Sequence, residues 1–296
     1  MLLDSVYNGI ISQAEEQGRT KALLRSVKLS NFLLKFKIDI RRFLFKDIMA
    51  KFGYCFPFIS VGGAPVDGKK ASFLASLGFD ICIGYGLTEA SPIVTLNCDV
   101  LKSPDSAGKC LPGCKIKIIE QDEDGIGEIA VKGKNVTKGY YKDPDANARS
   151  FKDGWFLTGD YGRLGKNGDL YIVGRKKNII ILDNGKNIYT EALEDHFVRN
   201  SGLITEAVVF ATKKETPSGA VTCLAMTAAV TAENAGEQPA NVIKEEVLKE
   251  VGRLNNTLPP YKRISEVVPF IGEFKKTSTM KIIRKDAEKI YYDQKN

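Results

Sequence analysis

Histidine is almost missing from this chain: His196 is the single one in 296 residues. A Ser-His-Asp or Cys-His mechanism would need it as the base in every case, which points the chemistry away from imidazole. His196 stands in Glu194-Asp195-His196-Phe197, a helical context that reads as surface. Long apolar runs are missing too, since none approaches the roughly 18–20 residues that span a bilayer. Met1 to Gln17 carries acids and lacks the basic start and apolar core of a secretory signal. The cysteines, Cys55, Cys82, Cys98, Cys110, Cys114 and Cys223, show no paired spacing beyond Cys110-x-x-x-Cys114. A zinc site would need further thiol or imidazole ligands at matching distance, so buried, reduced thiols in a cytosolic protein are expected. Nor is there a Ser/Thr/Gly-rich loop closed by lysine, the backbone device that grips phosphate groups.

What the chain does have is length and an ordinary composition. It can hold two domains and a sizeable core, and 43% hydrophobic with 27% charged residues argues for ordered globular structure over disorder. The formal net charge of +7 suits anionic small molecules or an acidic membrane surface and selects neither. Nothing in the pattern points to nucleic acid. Residues 1–51 read as helical and basic: Leu29, Phe32, Leu33, Phe36, Ile40, Phe43 and Leu44 recur at three- and four-residue spacing among Lys35, Lys37, Arg41, Arg42 and Lys46. Such a helix suits an anionic membrane interface. A helix packed on the protein with a solvated basic face is the preferred expectation.

From Pro57 the pattern changes. Phe58-Ile59-Ser60-Val61 reads as a strand ending in Gly62-Gly63-Ala64-Pro65, followed by a helix over about 67–76 and a strand at Asp80-Ile81-Cys82-Ile83. This is a βαβ unit, and its ligands belong beyond the carboxyl ends of the strands, where the glycines fall. Residues 107–176 read as short strands (Lys115–Glu120, Gly127–Lys132, Gly168–Val173), with a turn at Gln121–Gly125. A helix is expected at Thr190–Asn200, strands near Ala207–Ala211 and Val221–Val230, a polar loop at Thr231–Pro239 and a helix at Ala240–Asn255. A domain boundary is expected at Lys176–Asn178, dividing the chain into 1–50, 51–176 and 177–296.

Short motifs carry the chemistry. Gly62-Gly63-Ala64-Pro65 allows close backbone approach to a flat ligand, although such a turn also simply reverses a chain. In Gly84-Tyr85-Gly86-Leu87-Thr88-Glu89 the glycines leave the Tyr85 ring open for stacking on a base. Thr88 offers a hydroxyl to phosphate and Glu89 a carboxylate to Mg²⁺, with Thr88 as a helix N-cap the competing reading. Thr158-Gly159-Asp160 places after a turn an acid able to accept ribose hydroxyls, and Arg175, following a strand, offers a fixed fork to ribose or phosphate.

Together these segments resemble the AMP-forming acyl-CoA synthetases, the adenylate-forming ligases, over about residues 50–290. The run from Arg175 to Tyr189 is most similar to the bacterial long-chain fatty acid–CoA ligases. The resemblance implies an α/β fold: an incomplete large domain with a βαβ layer and a β-rich subdomain, then a small α+β C-terminal domain. It implies that fatty acid, ATP and CoA become acyl-CoA, AMP and pyrophosphate through an acyl-adenylate, with Mg²⁺ bound at Glu89. By the same resemblance Gly62, Gly63 and Ala64 line adenine, Tyr85 and Gly86 contact it, Thr88 binds phosphate, and Asp160, Ile172 and Arg175 hold the nucleoside. Lys177 falls at a hinge, Gly185 and Lys186 lie on the loop that meets the CoA thiol, and Lys281 donates to the α-phosphate and the carboxylate.

Two positions depart from the family pattern without removing a functional group. Met280 stands where glycine usually precedes the lysine, and Thr190 where proline is usual. The phosphate loop, half of the large domain and most of the fatty-acid tunnel have no counterpart in the sequence. The chain is therefore expected to be the C-terminal portion of a cytoplasmic ligase, its other half lost or supplied by a companion polypeptide. A ligase for aryl or medium-chain acids, a nucleotide- and CoA-binding module without chemistry, and a membrane-surface fragment contacting through residues 20–51 remain open.

Overall fold

Amphipathic spacing in the first fifty residues produces α1 (Leu2–Glu16), α2 (Thr20–Leu34), α3 (Arg41–Leu44) and α4 (Lys46–Lys51). The computed structural model describes residues 2–53, 58–217 and 219–295; Cys55 and Pro57 lie outside them. The chain divides into two compact units, Met1–Thr158 with Gly162–Ile172, and Gly159–Tyr161 with Val173–Asn296.

In the first unit, β1 (Phe58–Gly62), α5 (Gly68–Ser76) and β2 (Asp80–Gly86) form the expected βαβ unit, the strands parallel with Gly62 opposite Gly84. The Asp67 carboxylate starts α5 by accepting from the backbone N–H groups of Lys69 and Lys70, donors that a helix start leaves open. Ala71, Leu74 and Leu77 pack with Phe79, Ile81 and Ile83 beneath the helical segment. The strands β3 (Ile93–Asn97) and β4 (Lys109–Cys110) extend the sheet in the order β1-β2-β3-β4. Neither was read from the sequence, because each is short and lies among turn residues. Cys82 and Cys98 are disulfide-bonded, with Cα atoms 4.4 Å apart. The expectation of reduced thiols fails for this pair, because antiparallel pairing of Ile83 with Asn97 brings their neighbours face to face. Cys110, Cys114 and Cys223 are free thiols.

A second sheet uses β5 (Cys114–Ile119), β6 (Gly127–Gly133), β7 (Phe151–Lys152), β8 (Trp155–Leu164) and β9 (Leu170–Arg175), with α6 (Pro144–Ser150) leading into β7. Its order is β5-β6-β8-β7, with β9 also on β8. Thr158-Gly159-Asp160 lies inside β8 and not after a turn; a positive φ of 69° at Gly159 bends the strand there.

The second unit continues through β10 (Ile179–Ile181), β11 (Asn187–Tyr189), α7 (Thr190–Asn200), β12 (Glu206–Thr216) and β13 (Gly219–Val230). Then come α8 (Ala232–Ala235), within the segment read as a polar loop, α9 (Ala240–Asn255), β14 (Glu266–Ile271) and α10 (Arg284–Lys295). The sheet β12-β13-β14 is covered on both faces. Val209, Leu224, Met226 and Ala228 face Phe197 of α7 and Val247 of α9. Val208, Phe210, Ala225 and Ala229 face Ala287 and Tyr291 of α10. Period-two alternation sends neighbours to opposite faces, so double coverage yields the nearly unbroken apolar run of β13.

The N-terminal helices pack on the βαβ layer through Leu3, Ile10, Val27, Phe45 and Met49 with most of their basic residues exposed, as preferred, but not through the apolar residues that carried the expectation. Val27 and Ser30 of α2 point inward, but Leu29, Phe32, Phe36, Phe43 and Leu44 are exposed. Those five apolar residues lie on the exposed side of the segment, opposite the side that packs.

Replacing Asp67 with Ala removes the α5 cap and is expected to lower unfolding stability by about 1 kcal/mol. Chemical denaturation checks this; an unchanged midpoint would mean that the carboxylate does not cap.

Candidate functional site

Backbone geometry dominates the site residues of the first unit. Parallel pairing brings the carboxyl ends of β1 and β2 side by side, so Gly62-Gly63-Ala64 and Gly84-Tyr85-Gly86 leave the sheet at one edge. A Cβ on Gly86 would stand 1.8 Å from the Pro92 carbonyl oxygen, so only glycine fits. Gly62, Gly63 and Ala64 are exposed. Tyr85 corrects an expectation: the flanking glycines do not leave its ring open, for the residue is 8% exposed and packs with Ala90, Val94 and Ile129.

Thr88 and Glu89 begin a 3₁₀ turn, Thr88–Ala90, whose N-cap is Leu87, so Thr88 is not the cap. Thr88 is exposed, whereas Glu89 is half-buried and accepts a 2.9 Å hydrogen bond from the Tyr140 hydroxyl. The Glu89 carbonyl accepts from the Thr137 N–H at 2.7 Å. Burial, reinforced by the Glu89 carboxylate, raises the Tyr140 phenol above its ordinary pKa. Sequence reading missed Tyr140; its signal is the Gly139-Tyr140-Tyr141 sequence ahead of the α6 cap, Asp143. One Glu89 oxygen thus orients the carboxylate on Tyr140. A single carboxylate with phosphate and water suits octahedral Mg²⁺, so this donor set fits the ion.

Within the second unit, Asp160 and Arg175 come together: Arg175 Nε lies 3.1 Å from Asp160 Oδ1. Asp160 is 7% exposed, while half of the Arg175 side chain faces solvent. A buried acceptor beside an exposed planar donor suits a polar ligand that carries adjacent hydroxyls. Ile172 is exposed on β9, and Lys177 is exposed in the 3₁₀ turn Lys176–Asn178.

The β10–β11 connection is a tight turn in which the Gly185 N–H donates to Leu182 O and the Leu182 N–H to Lys186 O. Gly185 takes φ +77°, and open space surrounds the position of its missing Cβ. Asp183, another residue unread in the sequence, fastens the turn to β13. Its carboxylate accepts from the Thr222 backbone N–H and hydroxyl, both at 2.8 Å, and these bonds hold its pKa below the usual carboxylate value. Lys186 Nζ lies 4.1 Å from the Tyr261 ring centre. Beside the turn is a cavity of about 260 Å³, lined in part by Asp183, Asn184, Thr222, Tyr261 and Arg263.

Lys281 is exposed and leaves a turn in which its N–H donates to the Thr277 hydroxyl and its carbonyl accepts from the Thr277 N–H. Met280 takes φ +61° there, the left-handed region that favours glycine. Three residues on, Arg284 donates to Glu194, to the Thr190 hydroxyl and to the Val209 carbonyl, anchoring the segment that carries Lys281. Sequence reading did not single out Arg284, although a basic residue opening a helix against the dipole is an anomaly that invites a partner.

Met280→Gly is expected to raise thermal stability by about 1 kcal/mol while preserving the turn. Arg284→Ala leaves Glu194 buried without its cation and is expected to cost about 3 kcal/mol. Thermal melting checks both; a destabilising Met280→Gly would contradict backbone strain at that residue.

Comparison with known proteins follows the same division. Residues 2–141 match the family model described as AMP-binding enzyme, and residues 177–294 match the AMP-binding enzyme C-terminal domain. The long-chain-fatty-acid–CoA ligase FadD15 of Mycobacterium bovis is 38% identical over 148 residues, 50% of this chain and 24% of that protein. The long-chain-fatty-acid–CoA ligase ACSBG1 of Macaca fascicularis is 34% identical over 152 residues, 51% of this chain and 21% of its own length. The solved O-succinylbenzoate coenzyme A synthetase of Bacillus subtilis, in complex with ATP and magnesium ion, superposes with a TM-score of 0.64 at 24% identity. That match covers 83% of this chain and 50% of the solved one, so the chain spans about half the length of that structure and less of the curated relatives. From these matches, over both units, the chain belongs to the AMP-binding enzyme family.

Proposed function

We propose that this chain is the nucleotide- and CoA-handling portion of a long-chain fatty acid–CoA ligase. The reaction joins fatty acid, ATP and CoA to give acyl-CoA, AMP and pyrophosphate. A carboxylate oxygen of the fatty acid bonds to the α-phosphorus as the bond to pyrophosphate breaks. The CoA sulfur then bonds to the acyl carbon and AMP leaves. The observation that carries this reading is the Asp160–Arg175 pair, a nearly buried carboxylate beside an accessible guanidinium in a family defined by AMP binding. In this reading Asp160 accepts from the ribose hydroxyls, Arg175 donates to the nucleotide, and Ile172 packs beside it. Gly62, Gly63, Ala64, Tyr85 and Gly86 meet adenine, and Thr88 donates to phosphate. Mg²⁺ held at Glu89 would supply neutralisation of phosphate charge.

Lys281, the lysine of a rigid turn, donates to the α-phosphate and the entering carboxylate. The turn at Gly185 and Lys186 then meets CoA, whose phosphates suit the nearby Lys186 and Arg263 side chains. Exchange of Lys281 for Gly185 requires residues 178–296 to move as a small domain about Lys177. We place the reaction in the cytoplasm. The chemistry rests on charge neutralisation and positioning and needs no general base, in keeping with a single histidine.

Calorimetric titration of AMP into the purified chain tests the nucleotide assignment. Asp160→Asn and Arg175→Gln are each expected to weaken binding about tenfold, the loss of one charge-assisted hydrogen bond. Undiminished binding in both variants would remove the ribose assignment. In a separate assay, the isolated chain is expected to make no palmitoyl-CoA at ordinary ligase rates of about 1–10³ s⁻¹, because it lacks a loop for the β- and γ-phosphates. Full turnover would refute that requirement.

A further inference from the structure

We propose that Asp183 is a positioning residue for CoA: it holds the Gly185 turn on β13, so that the backbone of the turn meets the thiol arm in one conformation. The inference rests on the CoA assignment above and adds a residue that acts through the turn without touching the ligand.

The turn needs such a holder. β10 and β11 are three residues each and pair only with each other, and a hairpin of that kind is marginal in water unless something packs on it. Ile180, Leu182 and Ile188 seat the strands against the core. Asp183, Asn184, Gly185 and Lys186, by contrast, are all exposed. The bonds inside the turn, among them Lys186 N–H to Asn184 Oδ1, set its shape and leave its place open.

Two contacts set that place. Lys186 Nζ rests over the Tyr261 ring, a contact made by a long, flexible side chain. The other is directional: Asp183 Oδ2 accepts from the Thr222 N–H and Oδ1 from the Thr222 hydroxyl, each at 2.8 Å and across 39 residues of sequence. Strand register explains why the donor is available. β13 is the central strand of its sheet, but its pairing with β14 begins at Ala225. At Thr222 no acceptor comes from β14, and the carboxylate supplies one.

The chemistry of CoA divides between its two ends. Its phosphates are met by long basic side chains, which adjust to the ligand. The thiol arm carries amides and no charge, so backbone groups receive it, and their worth depends on how firmly they are placed. Asp183 is unsuited to the phosphates themselves, since a carboxylate repels them. It fixes instead one wall of the cavity of about 260 Å³ that Asp183, Thr222 and Tyr261 share. Loss of the tie therefore acts on the arm and not on the phosphate end.

Calorimetric titration of the full chain with CoA, and separately with adenosine 3′,5′-bisphosphate, tests this. Asp183→Ala loses both bonds and is expected to weaken CoA binding about tenfold, because apparent affinity falls with the fraction of turns left in the competent conformation. Binding of the bisphosphate, which lacks the thiol arm, is expected to stay as it was. Thr222→Val removes the hydroxyl donor and should weaken CoA binding by less than Asp183→Ala does, and Thr222→Ser should recover the loss. Circular dichroism melting checks that the variants fold, and Thr222→Val carries the test should Asp183→Ala not. Undiminished CoA binding in Asp183→Ala, or equal weakening of CoA and bisphosphate, would overturn the proposal alone. No CoA binding by the unaltered chain would overturn it together with the CoA assignment.

Discussion

The ion pair between Arg284 and Glu194 is the constraint on which the second unit depends. Glu194 lies on α7 and Arg284 opens α10, with Arg284 Nη2 2.7 Å from Glu194 Oε1. Glu194 also accepts from the Val209 N–H, and Arg284 donates to the Val209 carbonyl. Two helices are thereby locked to one residue of β12. Desolvating such a pair costs several kcal/mol, and losing one partner costs more than removing both, so the arrangement resists gradual loosening. Lys281 lies three residues before Arg284, so this anchor also sets where the exposed lysine emerges.

A comparable constraint in the first unit is made of backbone alone. Parallel pairing of β1 with β2 sets Gly62 against Gly84, where a Cβ on Gly62 would lie 2.8 Å from the Gly84 carbonyl oxygen. The close approach leaves an exposed shelf of main chain at Gly62–Ala64. Directly behind it Tyr85 is tied into the core, and Tyr140 orients Glu89.

Elements with a strong period were legible in the sequence. Thr190–Asn200 and Ala240–Asn255 are helices at the expected residues, and the βαβ unit stands where the glycines placed it. The α/β class and the family followed from motifs whose spacing reflects backbone geometry. Illegible parts depended on partners distant in sequence. The disulfide arises from strand register between Cys82 and Cys98, which no spacing rule supplies. Tyr140 is 51 residues from Glu89, and Arg284 is 90 from Glu194. Met280 was visible as a departure from the family glycine, but only the φ of +61° explains why glycine suits that turn. The apolar period of α2 misled, because periodicity registers that a face is apolar and carries no information about what covers it.

The central proposal is that the Asp160–Arg175 pair of the second unit receives the ribose of AMP. Backbone hydrogen exchange, measured by mass spectrometry with and without AMP, tests it most directly. The account predicts added protection at the strands carrying Asp160 and Arg175, saturating with AMP concentration. No added protection at those strands under saturating AMP would contradict it.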